Sequence, residues 1–238
     1  GRVQSIALKL VVDRENEIRA FIPTYYSTIE AKINKEISAT YYDTNGNFEN
    51  KEWITRDKTK QILGELNGPL KVTNVKLTKK NDAKVSPLKQ AMLYNKADIS
   101  SKAVQSAAQR LYEGFGEGGL ISYPRTDSTR LSENFLVRAR SYIQNKYGTE
   151  YIAKDIKGFS GDPDAHEAIR PTDIALTPEL AKSKYNLSSS EYKVYSIIWK
   201  TTMKAIMSVP IREILRYELE NNGHTFKLSS SKIVFDGY

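Results

Sequence analysis

The residues best suited to chemistry in this sequence lie in one short segment, 120–129. Tyr123 stands two positions before Arg125, and Pro124 between them fixes its own φ and favours an extended backbone at Tyr123. A phenolate oxygen can attack a phosphodiester and form a covalent phosphotyrosine, while a planar guanidinium holds the phosphate oxygens. The segment therefore indicates phosphoryl transfer through a tyrosine, a step that reverses without an external energy source.

A tyrosine alone says little about function, because the chain contains 15 of them and most tyrosines pack rather than react. A free phenol is almost fully protonated near pH 7, so a nucleophilic tyrosine needs help from a nearby cation. Arg125 could favour the phenolate and also stabilise charge in the transition state. An isolated arginine beside a turn is otherwise an ordinary surface residue.

Three motifs of the chain resemble those of the type IA DNA topoisomerases. Tyr-Pro-Arg-Thr-Asp-Ser at 123–128 is similar to the nucleophile loop of that family, and Asp-Ala-His-Glu-Ala-Ile-Arg-Pro-Thr at 164–172 resembles a second motif. Gly-Arg-Val-Gln-Ser at 1–5 resembles a third, and its serine is similar to bacterial topoisomerase I rather than to topoisomerase III. The three motifs follow the family's order across most of the chain.

This resemblance implies roles for individual residues. Tyr123 would become joined to the 5′ phosphate of a cut strand, and Arg125 would hold that phosphate. His166 would lie beside the nucleophile loop and hydrogen-bond Asp127, so that a charged imidazole faces the phosphate. The implied catalytic residues are Tyr123, Arg125, His166 and Asp127.

Contacts with DNA are also implied by motif position, for Arg2, Gln4, Arg125, Thr126 and Arg170. The chain departs from the family at 87–91, where Pro-Leu-Lys-Gln-Ala replaces the usual Pro-Phe-Thr-Thr-Ser. The hydroxyl contacts expected there are thereby put in doubt, although Lys89 could still meet a phosphate.

Other kinds of site are weaker matches. His166 and Glu167 begin like a zinc-protease helix, but Arg170 stands where the second histidine should be. The glycines of 113–119 are not followed by the Lys-Ser or Lys-Thr of a Walker loop, which predicts a connector rather than a phosphate cradle. A hydrolase built on His166 lacks a paired nucleophile. The alternative function is a non-catalytic module that holds single-stranded nucleic acid through basic and aromatic side chains.

Composition narrows the class of protein. The 238 residues are 39% apolar, enough for a substantial core, and the formal net charge of +8 suits a polyanionic partner such as DNA. The absence of cysteine excludes disulfides, thiolate zinc sites and cysteine nucleophiles, and is compatible with a reducing cytoplasm. No apolar run approaches the ~20 residues that span a bilayer. We expect a monomeric cytoplasmic protein with no membrane partner.

Hydrophobic periodicity predicts an α+β fold, a discontinuous antiparallel β domain into which a mainly helical domain is inserted. The predicted helices are 2–20, 55–66, 87–97, 101–115, 132–147 and 188–206. The predicted strands are 25–33, 37–43, 48–53, 71–78, 213–220 and 225–229, with hairpin turns at Asn45-Gly46 and Asn222-Gly223.

The predicted domain boundaries follow from these elements. Residues 1–20 are expected to be a helix of a neighbouring DNA-binding domain, 21–80 and 207–238 the two parts of the β domain, and 81–206 the helical insert that carries Tyr123. The family resemblance implies that the β parts form an arch over a hole that admits DNA.

The resemblance also implies what the chain lacks. Having no initiator Met, the chain is expected to be the central fragment of a bacterial enzyme that relaxes negative supercoils by strand cleavage, strand passage and religation. No cofactor is expected within the chain, and Mg²⁺ would bind an N-terminal domain outside it. The fragment alone is therefore expected to be inactive, and its partner is a single-stranded segment of negatively supercoiled DNA.

Overall fold

The computed structural model describes residues 1–116, 118–157 and 166–238. The elements in these ranges are α1 (Arg2–Ala20), β1 (Glu30–Lys32), β2 (Ser38–Tyr41), α2 (Arg56–Glu65), β3 (Lys71–Asn81), α3 (Gln90–Lys96), α4 (Ser101–Glu113), α5 (Glu133–Tyr147), a 3-10 turn (Thr149–Tyr151), α6 (Pro178–Tyr185), α7 (Ser189–Ile206), β4 (Ile211–Asn221) and β5 (His224–Phe235). The strands form one sheet in the order β1-β2-β5-β4-β3, and β2 is antiparallel to both neighbours. The chain is therefore α+β with a five-stranded antiparallel sheet.

The described chain divides into two compact units. The first contains residues 1–77 and 215–230, and the second contains 78–214 and 231–238. The first has a core around Ile54, Ile62 and Phe226, each at most 1% exposed. No residue of α1 is buried.

One predicted hairpin is wrong and the other is confirmed. Neither Asn45 nor Gly46 adopts the positive φ that a type I′ turn requires, and residues 48–53 form bends and turns rather than a strand. β2 pairs with β1 and β5 instead. At the second turn, Asn222 and Gly223 have φ of 48° and 82°, and they connect β4 to β5 as expected.

The second unit is built on helices α3 to α7. The apolar residues of α4 recur at helical spacing and pack in one buried cluster with those of α7, namely Val104, Ala107, Ala108, Leu111, Val194, Tyr195 and Ile198. Ser188 and Glu191 form a capping box at the start of α7. The predicted helices corresponding to α3, α4, α5 and α7 are confirmed within a few residues at each end.

Helix α6 was not predicted, although its ends carry recognisable signals. Thr177 caps its first turn by accepting the N–H of Leu180, and Pro178 occupies the first helical position. Asn186 ends it in the left-handed conformation with φ of 50°.

We expect Ile198→Ala to lower the free energy of unfolding by about 2–5 kcal/mol, because Ile198 is fully buried between helices and its truncation leaves a cavity. Leu180→Ala is the matched control, since Leu180 is 56% exposed. Its effect should stay within about 0.5 kcal/mol. Urea unfolding followed by circular dichroism measures both, and equal losses would contradict this account of the core.

Candidate active site

Three loop segments of the second unit come together around Tyr123. They are 87–90, 119–130 and 166–172, and backbone bridges between Leu88 and Ile169 and between Ile121 and Pro171 connect them. The N–H of Ile169 donates to the carbonyl of Leu88 at 2.7 Å. Two of the motifs identified in the sequence are therefore adjacent in space, as is the segment that departs from the family pattern. Residues 164 and 165 of the second motif lie outside the described residues.

Helix α4 ends against the nucleophile loop. The N–H of Leu120 donates to the carbonyl of Leu111 at 2.7 Å, and Gly119 just before it has φ of +67°. A side chain on Gly119 would overlap the carbonyl of Tyr112, so glycine is required here for both conformation and space. Gly119 and Leu120 thus close the loop onto α4, a role that glycine-rich composition alone did not indicate.

The hydroxyl of Ser122 ties the nucleophile loop to the second motif. It donates to the carbonyl of Ala168 at 2.7 Å and accepts the N–H of Arg170 at 2.9 Å. The Ser122 N–H also donates to the carbonyl of Arg170 at 2.9 Å. The residue immediately before Tyr123 is therefore held by three hydrogen bonds.

We expect Ser122→Ala to destabilise the fold by about 1–3 kcal/mol, because it leaves the Ala168 carbonyl and the Arg170 N–H without a partner in a half-buried place. Ser141→Ala is the control, because the Ser141 hydroxyl makes an exposed hydrogen bond to the carbonyl of Val137 within α5. Thermal unfolding of both variants measures the difference. An unchanged melting temperature for Ser122→Ala would mean that the hydrogen bonds of the Ser122 hydroxyl contribute nothing to stability.

The ring of Tyr123 is half-buried between two other rings. Tyr112 meets it edge-on with centroids 5.7 Å apart, and the imidazole of His166 is tilted against it at 4.7 Å. Within the part of the chain that the structure describes, the phenol oxygen makes no hydrogen bond. Packing therefore orients the ring while its oxygen stays available to react.

The predicted hydrogen bond between Asp127 and His166 is not formed, which corrects that expectation. His166 is exposed and packs on the ring of Tyr123, whereas Asp127 lines a cleft with Arg125. The exposed Arg125 lies where this cleft meets a second one along α4, which is lined by Lys102, Gln105, Ser106, Gln109, Arg110, Glu113 and Gly114. The structure thus places a cation and an imidazole close to the nucleophile loop.

Thr126 is 6% exposed, and its hydroxyl accepts the N–H of Ser128 at 3.1 Å. Its carbonyl accepts the N–H of Gln90 at 2.9 Å. Lys89, half-buried, precedes the first residue of α3. Thr126 and Lys89, both predicted to contact DNA, therefore lie at the nucleophile loop or beside it. The Thr126 hydroxyl and carbonyl already form hydrogen bonds within the protein.

Arg170 is held by protein groups. Its Nε donates to Glu167 at 2.6 Å, Nη1 donates to the carbonyl of Pro171 at 3.1 Å, and the guanidinium lies 4.3 Å above the ring of Phe135. Burial lowers the pKa of Arg170, and Glu167 opposes that shift. A phosphate here would have to compete with the Glu167 carboxylate.

The other two residues predicted to contact DNA belong to the first unit. Arg2 and Gln4 are exposed on α1, which belongs to the first unit.

Among residues 1–116, 118–157 and 166–238, no three His, Asp or Glu side chains come together as a metal site. None of the described helices is both long and apolar enough to cross a bilayer.

Comparison with known proteins identifies the family. A family described as DNA topoisomerase matches residues 1–238. The chain therefore belongs to the bacterial type IA DNA topoisomerases, a family of isomerases.

Two relatives give the extent of the likeness. DNA topoisomerase 1 of Mycoplasma pneumoniae is 36% identical over 277 residues, an alignment that covers 100% of this chain and 39% of that protein. The structure of full-length topoisomerase I from Thermotoga maritima matches with a TM-score of 0.80 and 35% identity, again over 100% of this chain and 39% of the other. The chain thus spans about two fifths of the length of these relatives.

Proposed function

We propose that this chain is the nucleophile-bearing part of a topoisomerase that cuts one DNA strand and rejoins it through a phosphotyrosine at Tyr123. The observation that carries the proposal is the setting of Tyr123. Its ring is held between Tyr112 and His166, and its oxygen is bonded to no described residue. Arg125 lies two residues further along the same loop and is exposed to solvent, where a phosphate group can reach it.

The proposed reaction exchanges one phosphodiester for another. The phenol oxygen of Tyr123 forms a bond to the phosphorus, the bond to the 3′ oxygen breaks, and that oxygen leaves as a 3′ hydroxyl that takes up the proton lost by the phenol. The reverse attack by the 3′ hydroxyl rejoins the strand and restores Tyr123. Arg125 stabilises the charge on the equatorial phosphate oxygens, and a protonated His166 would add to the same field.

The proposal extends to the longer protein that the relatives represent. In that protein, Arg2, Gln4, Lys89, Thr126 and Arg170 would contact the cleaved strand, and strand passage would relax negative supercoils. Mg²⁺ would be bound by a domain outside this chain, so the isolated chain would relax no DNA. We place the protein in the cytoplasm as a monomer, with the second unit acting as the helical insert of a toroidal, multidomain enzyme.

Covalent trapping tests the proposal. The full-length protein is incubated with a 5′-labelled and a 3′-labelled single strand, denatured, and digested for peptide mapping. We expect the modified peptide to contain residues 120–129, with phosphate attached to Tyr123, and only the 3′-labelled fragment to stay with the protein. A phosphate on another residue would refute the assignment.

The alternative function, non-catalytic binding of single-stranded nucleic acid, has one observation in its favour. The cleft along α4 contains Lys102, Arg110 and Arg125. Arg110 is paired with Glu191 at 2.8 Å, so Lys102 and Arg125 remain against the carboxylate of Glu113 among the described lining residues. A groove of this charge suits a phosphate backbone. If the full-length protein binds DNA but never forms an adduct, this alternative is the better description.

We expect DNA binding by the isolated chain to weaken steeply with salt, because each phosphate contact by Lys or Arg releases counterions. Four such contacts would reduce the affinity for a single strand by about 50-fold between 50 and 200 mM salt. Fluorescence anisotropy with a labelled single strand measures the slope, and Lys102→Ala should make it shallower by about one. An affinity that does not depend on salt would contradict a phosphate-based interface.

A further inference from the structure

The cleft that contains Asp127 differs in its lining residues from the basic cleft along α4. It is bounded by Gln90, Ala91, Tyr94, Gln105, Arg125 and Asp127, with a volume of about 480 Å³. Two side-chain amides, one carboxylate and one aromatic ring surround the space, and the single cation is Arg125, which is shared with the neighbouring cleft.

The position of this cleft is fixed relative to the nucleophile loop. Gln90 is the first residue of α3, and its N–H donates to the carbonyl of Thr126 at 2.9 Å. Gln105 lies on α4, the helix whose end carries Tyr112 against Tyr123. A group in the cleft would therefore lie close to a phosphate held at Arg125.

The residues of this cleft include those that depart from the family pattern. Gln90 and Ala91 occupy positions where Thr and Ser are usual, so an amide replaces a hydroxyl and a methyl group leaves room beside it. Neither the Gln90 amide nor the Gln105 amide forms a hydrogen bond with any other described residue. Both are free to bond a ligand, and each offers a donor and an acceptor.

The chemistry of the lining selects a neutral ligand with amino groups. The carboxylate of Asp127 repels a phosphate inside the cleft and accepts hydrogen bonds from amino donors. The half-buried ring of Tyr94 offers a surface for stacking a base. Adenine, cytosine and guanine carry an exocyclic amino group and thymine does not, and glutamine is the side chain that pairs best with adenine.

We infer that this cleft binds the base of a nucleotide next to the phosphate attacked by Tyr123, and that it disfavours thymine there. The inference rests on the proposed function, because the phosphate at Arg125 brings the base to the cleft. The sugar-phosphate chain continues along the basic cleft of α4, while the base turns toward Gln90 and Gln105. Cleavage by this protein therefore depends on the identity of a flanking base.

Cleavage-site sequencing tests the inference. Single strands randomised at the two positions on either side of the scissile phosphate are cleaved by the full-length protein, and the strands trapped on Tyr123 are sequenced. We expect thymine to be depleted about fivefold or more at one flanking position, with adenine the most enriched base. The double variant Gln90→Ala, Gln105→Ala should bring the four bases close to equal use among the strands that are still trapped.

Gln109→Ala is the matched control, since Gln109 lies one turn further along α4 and lines only the neighbouring cleft. It should leave the base preference unchanged. If the double variant does not fold, base preference is compared in the single variants Gln90→Ala and Gln105→Ala. Gln90→Thr, which restores the usual family residue, serves the same purpose. Equal use of all bases by the unmodified protein, or a bias that survives in the glutamine variants, would overturn the inference. A failure of the proposed function gives a different result, namely no trapped strand of any sequence.

Discussion

Tyr123→Phe in the full-length protein is expected to reduce covalent adduct formation by at least about 10⁴-fold, because it removes the nucleophilic oxygen and leaves no replacement. The ring itself should stay in place, since its contacts with Tyr112 and His166 involve only ring atoms. Affinity for a single strand should change by less than about tenfold, the equivalent of one lost hydrogen bond. A denaturing gel with labelled DNA measures the adduct, and anisotropy measures binding.

Tyr112→Phe is the control for that experiment, because it removes a phenol oxygen next to Tyr123 and keeps the edge-on ring contact. We expect adduct formation to continue in this variant within a few fold. If Tyr123→Phe still forms an adduct at the same rate, another residue is the nucleophile and the proposed function of this loop is wrong. If both variants lose the adduct, the hydroxyl of Tyr112 is also needed for the reaction, because both substitutions keep the ring contact between the two residues.

Much of the secondary structure could be predicted from the sequence, because it depends on local patterns. Helix α1, the hairpin at Asn222-Gly223 and the cap of α2 at Thr55 all follow from spacing and from residues that favour turns or caps. The failed hairpin at Asn45-Gly46 has a non-local cause. The buried carboxylate of Asp43 pairs with Lys58 at 2.6 Å, and β2 finds its partners in β1 and the distant β5.

The candidate site could be located from the sequence, but its contacts could not. The resemblance predicted that the segments around Tyr123 and His166 lie side by side, and the structure confirms that they are adjacent. It also suggested a bond between His166 and Asp127 that the structure does not contain. Side-chain direction decides which of several nearby groups meet, and neither motif spacing nor composition specifies it.

Gly119 and Ser122 position the nucleophile loop through local backbone requirements. Gly119 needs a positive φ at a point where the backbone of Tyr112 leaves no room for a side chain. Ser122 lies between a buried apolar pair and Tyr123, where a hydroxyl can satisfy two backbone groups of another segment. A small polar residue and a glycine beside a reactive loop therefore indicate loop closure as readily as flexibility or solvent exposure.

Arg125→Ala is expected to lower the rate of adduct formation at saturating DNA by about 10²- to 10³-fold, the usual cost of removing one group that stabilises developing charge. Arg125→Lys should recover part of this loss, because it restores the charge without the planar donor fork. Single-turnover measurements over a range of DNA concentrations separate the rate from the affinity. Lys102→Ala is the control, because Lys102 is an exposed cation that shares a cleft with Arg125.

Substitution of Arg125 and substitution of Lys102 should change different quantities, the first the rate at saturating DNA and the second the affinity for DNA. A group that contacts phosphate equally in the bound state and the transition state alters affinity alone, whereas a group that acts as charge develops alters the rate at saturation. Lys102→Ala should therefore weaken binding and leave the saturated rate unchanged, while Arg125→Ala lowers that rate. If Arg125→Ala only weakens binding, Arg125 positions the strand as Lys102 does. The charge that assists Tyr123 must then come from another group, for which His166 is a candidate because its ring centroid lies 4.7 Å from that of Tyr123.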